Sequence, residues 1–73
     1  MSKLPLLSWR EVIKTLKKAG FTAARQKGSH VILVKGDCVL PVPKHAEIKR
    51  GLLMAIIEEA GLTKDEFLKL LQN

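Results

Sequence analysis

The stretch QKGSHVILVKGDCVLPVPKH, residues 26–45, carries the strongest strand signal of the chain, bracketed by two turn signals. HVILVK (30–35) is rich in β-branched residues, whose side chains sit well on a pleated surface. Gly36-Asp37 is a tight-turn dipeptide, so Cys38–Val42 is expected to return as a neighbouring antiparallel strand. Pro41 has no N–H to give to a ladder, which puts that strand at a sheet edge or ends it there. On the other side Lys27, Gly28 and Ser29 form a turn, and Phe21–Gln26 reads as a short first strand. The sum is a three-stranded antiparallel meander. The only two histidines, His30 and His45, stand at its ends.

Outward from the meander the period changes from two to 3.6. In Ser8–Ala19 the residues Trp9, Val12, Ile13, Leu16 and Ala19 form one apolar stripe. Ser8 and Glu11 have capping-box spacing, Leu7 and Val12 have the spacing of a hydrophobic staple, and Gly20 supplies a left-handed C-cap. A second helix is expected over Ile48–Ala60, with Ile48, Leu52, Leu53, Ile56, Ile57 and Ala60 on one side and Gly61 as its cap. Gly51 near its start costs about 1 kcal/mol relative to alanine, so close packing or backbone approach is expected there. Thr63 and Glu66 open a short last helix with another capping box, and Leu62 with Phe67 can staple it. The fold class is therefore α+β, in the order α-β-β-β-α plus a short C-terminal helix.

Seventy-three residues make one domain, 1–73, which buries roughly 60% of its unfolded surface. The 47% hydrophobic content argues for a packed globule and against a disordered tail. One cysteine, Cys38, excludes an internal disulfide and any cysteine-rich zinc framework. Two histidines without clustered carboxylates give no metal site, and the length leaves no room for a dinucleotide cofactor. The N-terminal MSKLPLLSW is too short for a signal core, and no stretch has the length of a membrane span, so a soluble cytoplasmic protein is expected.

Charge gives the first functional clue. The net charge is +6, but residues 1–50 hold eleven basic and three acidic groups while residues 51–73 hold two basic and four acidic. The half containing the first helix and the sheet is the electropositive one, which suits a polyanion. Arg10, Lys14, Lys17 and Lys18 lie off the apolar stripe of the first helix, as a solvated face or as one that tracks phosphates. In HVILVK, Ile32 and Val34 project to one face and Val31 and Leu33 to the other, so both faces are apolar. A sheet with helices on one face is expected to alternate apolar with polar. The exception is local noise in a small domain, a C-terminal helix folded over the second face, or a partner protein covering it.

The segments EVIKTLKKAGF, RQKGSHVIL, VPKH and GLLMAIIEEAGLTKDEFL, in this order and spacing, resemble the HicA-type toxins of bacterial and archaeal toxin–antitoxin pairs. The resemblance runs from Ser8 to about Leu71, and its most specific element is Gly-Ser-His after a basic residue. It implies a fold like a double-stranded-RNA-binding domain, with helices on one face of a three-stranded sheet. It also implies a ribonuclease that cuts mRNA without the ribosome and is inhibited by direct binding of a HicB-type antitoxin, as a hetero-oligomer. The family's catalytic histidine falls on His30. Two departures are the short turn at Gly36-Asp37 and Leu52 after Gly51, where many members carry a small polar residue.

The residues agree with that chemistry. RNA carries its own nucleophile, the 2′-OH, so cleavage needs proton transfer and phosphate stabilisation, which a histidine can serve near neutral pH. Gly28 lets the backbone approach a phosphate, Ser29 can donate a hydroxyl hydrogen bond, and Lys27 and Arg25 can bind flanking phosphates. The competing reading makes His30 a partly buried residue that ends a turn by bonding backbone. His45 offers a second acid–base group or phosphate contact, against a plain role in shaping the entry to the second helix. Trp9 and Phe21 read as core. A non-catalytic RNA-binding module of the same fold is the alternative to the enzyme.

Overall fold

The computed structural model describes residues 4–73. Its order is α1 (Trp9–Lys18), β1 (Thr22–Lys27), β2 (His30–Lys35), β3 (Cys38–Pro43), α2 (Arg50–Glu59) and α3 (Lys64–Gln72). This is the expected α+β architecture, and it fits the double-stranded-RNA-binding-domain-like layout that the family resemblance implied.

The ends of α1 are set by local chemistry. The Ser8 hydroxyl accepts from the Glu11 N–H at 3.3 Å, and the Ser8 N–H donates to Glu11 Oε1 at 3.0 Å. At the far end Gly20 N–H donates to the Lys17 carbonyl and Phe21 N–H to the Leu16 carbonyl, a Schellman closure that needs the left-handed Gly20 at φ 105°. Val12, Ile13 and Leu16 are buried along the stripe between these ends. Thr15 is buried with them, its hydroxyl donating to the Glu11 carbonyl at 2.8 Å. The same closure ends α2, through Gly61 N–H to Glu58 and Leu62 N–H to Ile57.

The sheet is antiparallel in the order β1-β2-β3, so β3 with Pro41 is an edge strand, as its proline requires. Two-residue turns fix the register: Lys27 pairs with His30, and Lys35 with Cys38. Ala24 is left unpaired in a bulge, beyond which Ala23 meets Leu33 and Thr22 meets Val34. Val31, Leu33, Leu40 and Val42 join the residues of all three helices in one buried cluster, so the helices share one side of the sheet. All six residues of β1 are exposed, beyond the cover of the helices.

Two expectations are corrected. The second helix begins at Arg50, and Ile48 is instead extended, bridging Leu7 with its N–H on the Leu7 carbonyl at 2.7 Å. Ile48 is fully buried, and this bridge inserts it into the core while closing the chain start against the α2 approach. The close packing expected at Gly51 is absent, since a Cβ there would meet nothing within 4 Å.

The second face of β2 is left open by the helices. Ile32 and Val34 are half-buried there, beside Pro41 and the 62% exposed Val39 of β3. The C-terminal helix does not fold over it, because α3 packs against α1 and α2, with Phe67 in the same core as the inner strand residues.

Candidate active site and nucleic-acid interface

The Lys27-Gly28-Ser29-His30 turn stands at one end of the sheet. Gly28 adopts φ 59°, which suits the first central position of a two-residue hairpin turn, and nothing lies within 4 Å of where its Cβ would be. The backbone is therefore open to close approach. Residues 22–30 are all exposed, His30 among them. His30 opens the central strand, with Lys27 opposite it on β1 and Pro43 opposite it on β3. By the alternation of β2 its imidazole shares the open face with Ile32 and Val34. It is not the partly buried turn-ending histidine of the competing reading.

Cross-strand pairing sets the charges around it. Arg25 lies opposite Ile32 and Lys27 opposite His30, both on the open face. Ser29 is tied across the sheet end, where its carbonyl accepts from the Lys44 N–H at 2.8 Å. His45 follows, exposed, with its N–H donating to the Pro43 carbonyl at 2.8 Å and its carbonyl accepting from the Trp9 N–H at 3.1 Å. Its main chain thus serves the first turn of α1, and the α2 entry it was expected to shape lies further on.

The lysines of α1 are distributed differently from the turn. Trp9 joins the His30 end of the sheet, whereas the C-terminal end of α1 joins the opposite end, where Lys35 Nζ donates to the Ala19 carbonyl at 2.8 Å. Six residues of β2 separate those ends, about 17 Å of strand. Lys17 and Lys18 therefore sit away from His30, and Lys14 lies between. Lys18 is engaged by α3, with Nζ donating to the carbonyls of Leu70 (3.1 Å) and Asn73. Lys14 and Lys18 line a shallow groove with Glu11, Thr15, Leu71 and Asn73. In exchange, the fold brings Lys44 and Arg10 to the His30 end. The signal for Lys44 was countable in the sequence: a two-residue turn at Gly36-Asp37 aligns Ser29 with Lys44.

Trp9 is half-buried at the margin of the core, with Arg10 Cζ and Lys44 Nζ each 5.1 Å from its ring centroid. Phe21 is buried, as expected. Among the described residues no three of His, Cys, Asp and Glu come together as metal ligands. No described helix is long and apolar enough to cross a membrane.

A family model described as the HicA toxin of bacterial toxin–antitoxin systems matches residues 9–62. The chain belongs to the HicA toxin family. A search of the curated proteins finds no match. The HicA match takes in α1, the whole sheet with its Gly-Ser-His turn, and α2 with its Gly61 cap. It ends before α3, which nevertheless completes the core through the fully buried Phe67.

Proposed function

We propose that this HicA-family chain is an endoribonuclease toxin of the cytoplasm, which cleaves single-stranded mRNA and is silenced by direct binding of a HicB-type antitoxin. The observation that carries the reading is the exposed His30 beside an unobstructed Gly28 and a basic flank of Arg25 and Lys27.

In this mechanism the phosphate seats against the Gly28-Ser29 backbone. The 2′-OH attacks the adjacent phosphorus and the bond to the 5′-oxygen breaks, leaving a cyclic phosphate and a 5′-hydroxyl. One proton leaves the nucleophile and one reaches the leaving oxygen. His30 moves one of them, and water carries the other. A positioned acid–base group contributes typically about 10²–10⁴-fold to rate. Lys27 and Arg25 offset the negative charge that builds on the phosphoryl oxygens.

The open face supports the antitoxin part of the reading. Ile32, Val34, Val39 and Pro41 form an apolar strip contiguous with His30, and a protein seated on it also covers the imidazole. Toxin silencing then needs no change of fold.

The test is cleavage of an end-labelled single-stranded RNA in excess chelator by the native protein and by folded His30→Ala. Cutting by the native protein alone supports the mechanism. RNA binding without cutting by either protein replaces it with a non-catalytic RNA-binding module. Equal cutting by both moves the acid–base role elsewhere, with His45 next in line.

A further inference from the structure

Two cations rest over the single tryptophan of this chain, and the same tryptophan is bonded into the candidate active site. Both Arg10 and Lys44 stand 5.1 Å from the indole centroid, inside the range of about 6 Å at which an aromatic face attracts a cation. The Trp9 N–H donates to the His45 carbonyl, and the Lys44 N–H donates to the Ser29 carbonyl. Trp9, Lys44 and the Gly-Ser-His turn are thus consecutive links of one main-chain network.

The ring attracts each cation, but it leaves their charge unneutralised. Arg10 and Lys44 are two of the thirteen basic residues that give the chain its net charge of +6. The nearest acidic residue along α1, Glu11, has a carboxylate oxygen accepting the Ser8 N–H in the capping box. Lys44 makes no side-chain hydrogen bond among the described residues. Two cations held at one aromatic ring, each 5.1 Å from its centroid, form a local positive site suited to an anion from outside.

We infer that Trp9 is a positioning residue that holds Lys44 and Arg10 as a second phosphate subsite, for an RNA phosphate flanking the one at His30. The inference rests on the ribonuclease reading and extends it to the path of the substrate. Lys27 lies on one side of His30 in β1, and Lys44 lies on the other, just past the end of β3. Neighbouring strands are about 4.8 Å apart, so these two backbones stand roughly 10 Å from each other across His30. The RNA backbone then crosses the strand ends from β1 to β3 and continues onto the first turn of α1. It does not run along the Lys14, Lys17 and Lys18 side of that helix.

The test uses a single-stranded RNA oligonucleotide carrying 2′-O-methyl groups throughout, which binds but cannot be cut. Affinity is read by anisotropy of an end label between 50 and 200 mM salt for the native protein, Lys44→Gln, Arg10→Gln, Trp9→Leu and Trp9→Phe. Each phosphate contact on a single strand adds about 0.7 to the slope of log affinity against log salt, which over this range is roughly a threefold change. Lys44→Gln is expected to lower the slope by about that amount and to raise KM for a cleavable RNA more than it lowers kcat. Trp9→Leu is expected to act like Lys44→Gln and to add little to it, while Trp9→Phe, which keeps a ring under the cations, restores the native slope. The native protein offers a second readout. With one Trp and no Tyr, its fluorescence reports this subsite alone and should change on RNA binding.

Unchanged slopes in Lys44→Gln and Arg10→Gln, with RNA still bound, overturn the subsite and leave the ribonuclease reading standing. No binding by the native protein at 50 mM salt overturns both. Lys44→Gln keeps the test decisive if Trp9→Leu fails to fold, because Lys44 is outside the core cluster.

Discussion

The Lys44 N–H donates to the Ser29 carbonyl at 2.8 Å, one step beyond the last ladder pair of His30 and Pro43. His30 and Pro43 form a non-hydrogen-bonded pair of the antiparallel ladder, so this bond is what fastens the Gly-Ser-His turn to the chain leaving β3. Lys44→Pro removes the donor along with the cation, whereas Lys44→Gln removes the cation alone. The proline variant is expected to be less stable than the glutamine variant by about 1 kcal/mol, the typical net worth of one such bond. Denaturant midpoints measure the difference, and amide exchange at residue 44 of the native protein should be slow. Equal midpoints would show that the turn holds itself.

Two glycines should respond to alanine in opposite directions. Gly20 has φ 105°, and a Cβ there would stand 3.2 Å from Lys35 Cε. Gly20→Ala is expected to destabilise by about 1–2 kcal/mol, the cost of a left-handed backbone for a residue with a Cβ. Gly51 lies in α2 with helical φ and open space around it, so Gly51→Ala should stabilise by about 0.5–1 kcal/mol. Urea titrations of the two variants against the native protein check both signs.

These contrasts show where the sequence was readable. The two-residue turn at Gly36-Asp37 fixed the register of β2 with β3 by counting alone. The first turn, read as Lys27-Gly28-Ser29, closes over Gly28-Ser29 only, and the bulge at Ala24 shifts the β1 register in a way counting does not give. The capping boxes at Ser8 and Thr63 fixed two helix starts, because there the side chain that sets the boundary sits beside it in sequence. The start of α2 had no such marker: its N-cap, Lys49, makes no side-chain cap bond. Ile48 matched the helical period by its apolarity, yet it is buried as an extended bridge to Leu7, a contact invisible to local pattern. The candidate site divided in the same way. His30 and its turn were legible from a short motif. The cations over Trp9, and the engagement of Lys18 by a carbonyl 52 residues away, depend on tertiary neighbours.

The start of α3 should depend on pH. Glu66 is held below its ordinary carboxylate pKa, first by the hydrogen bond from the Thr63 N–H and then by the Thr63 hydroxyl. A depressed folded pKa means that the ionised form supports the fold. Its contribution is present above the ordinary glutamate range and is lost as pH falls through the lower, folded value. Acidification should therefore fray the first turn of α3, and Glu66→Gln, which can still accept from the Thr63 N–H, should remove much of that dependence. Far-UV circular dichroism of both proteins across the acid range measures it. Identical acid transitions would place the sensitive group elsewhere.

The open face of the sheet gives the sharpest test of the antitoxin reading. Ile32 and Val34 are half-buried between Arg25 and Thr22 of β1 and Pro41 and Val39 of β3, and no helix packs over them. Ile32→Thr with Val34→Thr keeps β-branching in the central strand and takes away apolar surface, so the fold should change little. If a HicB-type antitoxin seats there, each buried methylene is worth about 0.8 kcal/mol, and the loss at Ile32 alone amounts to roughly tenfold in affinity. Calorimetry with the antitoxin is expected to show a weakening of tenfold or more for the double variant, while its cleavage of free RNA stays near native, because His30 and the basic flank are untouched. Native-strength binding by the double variant would move the antitoxin off this face, and silencing would then have to reach His30 by another route.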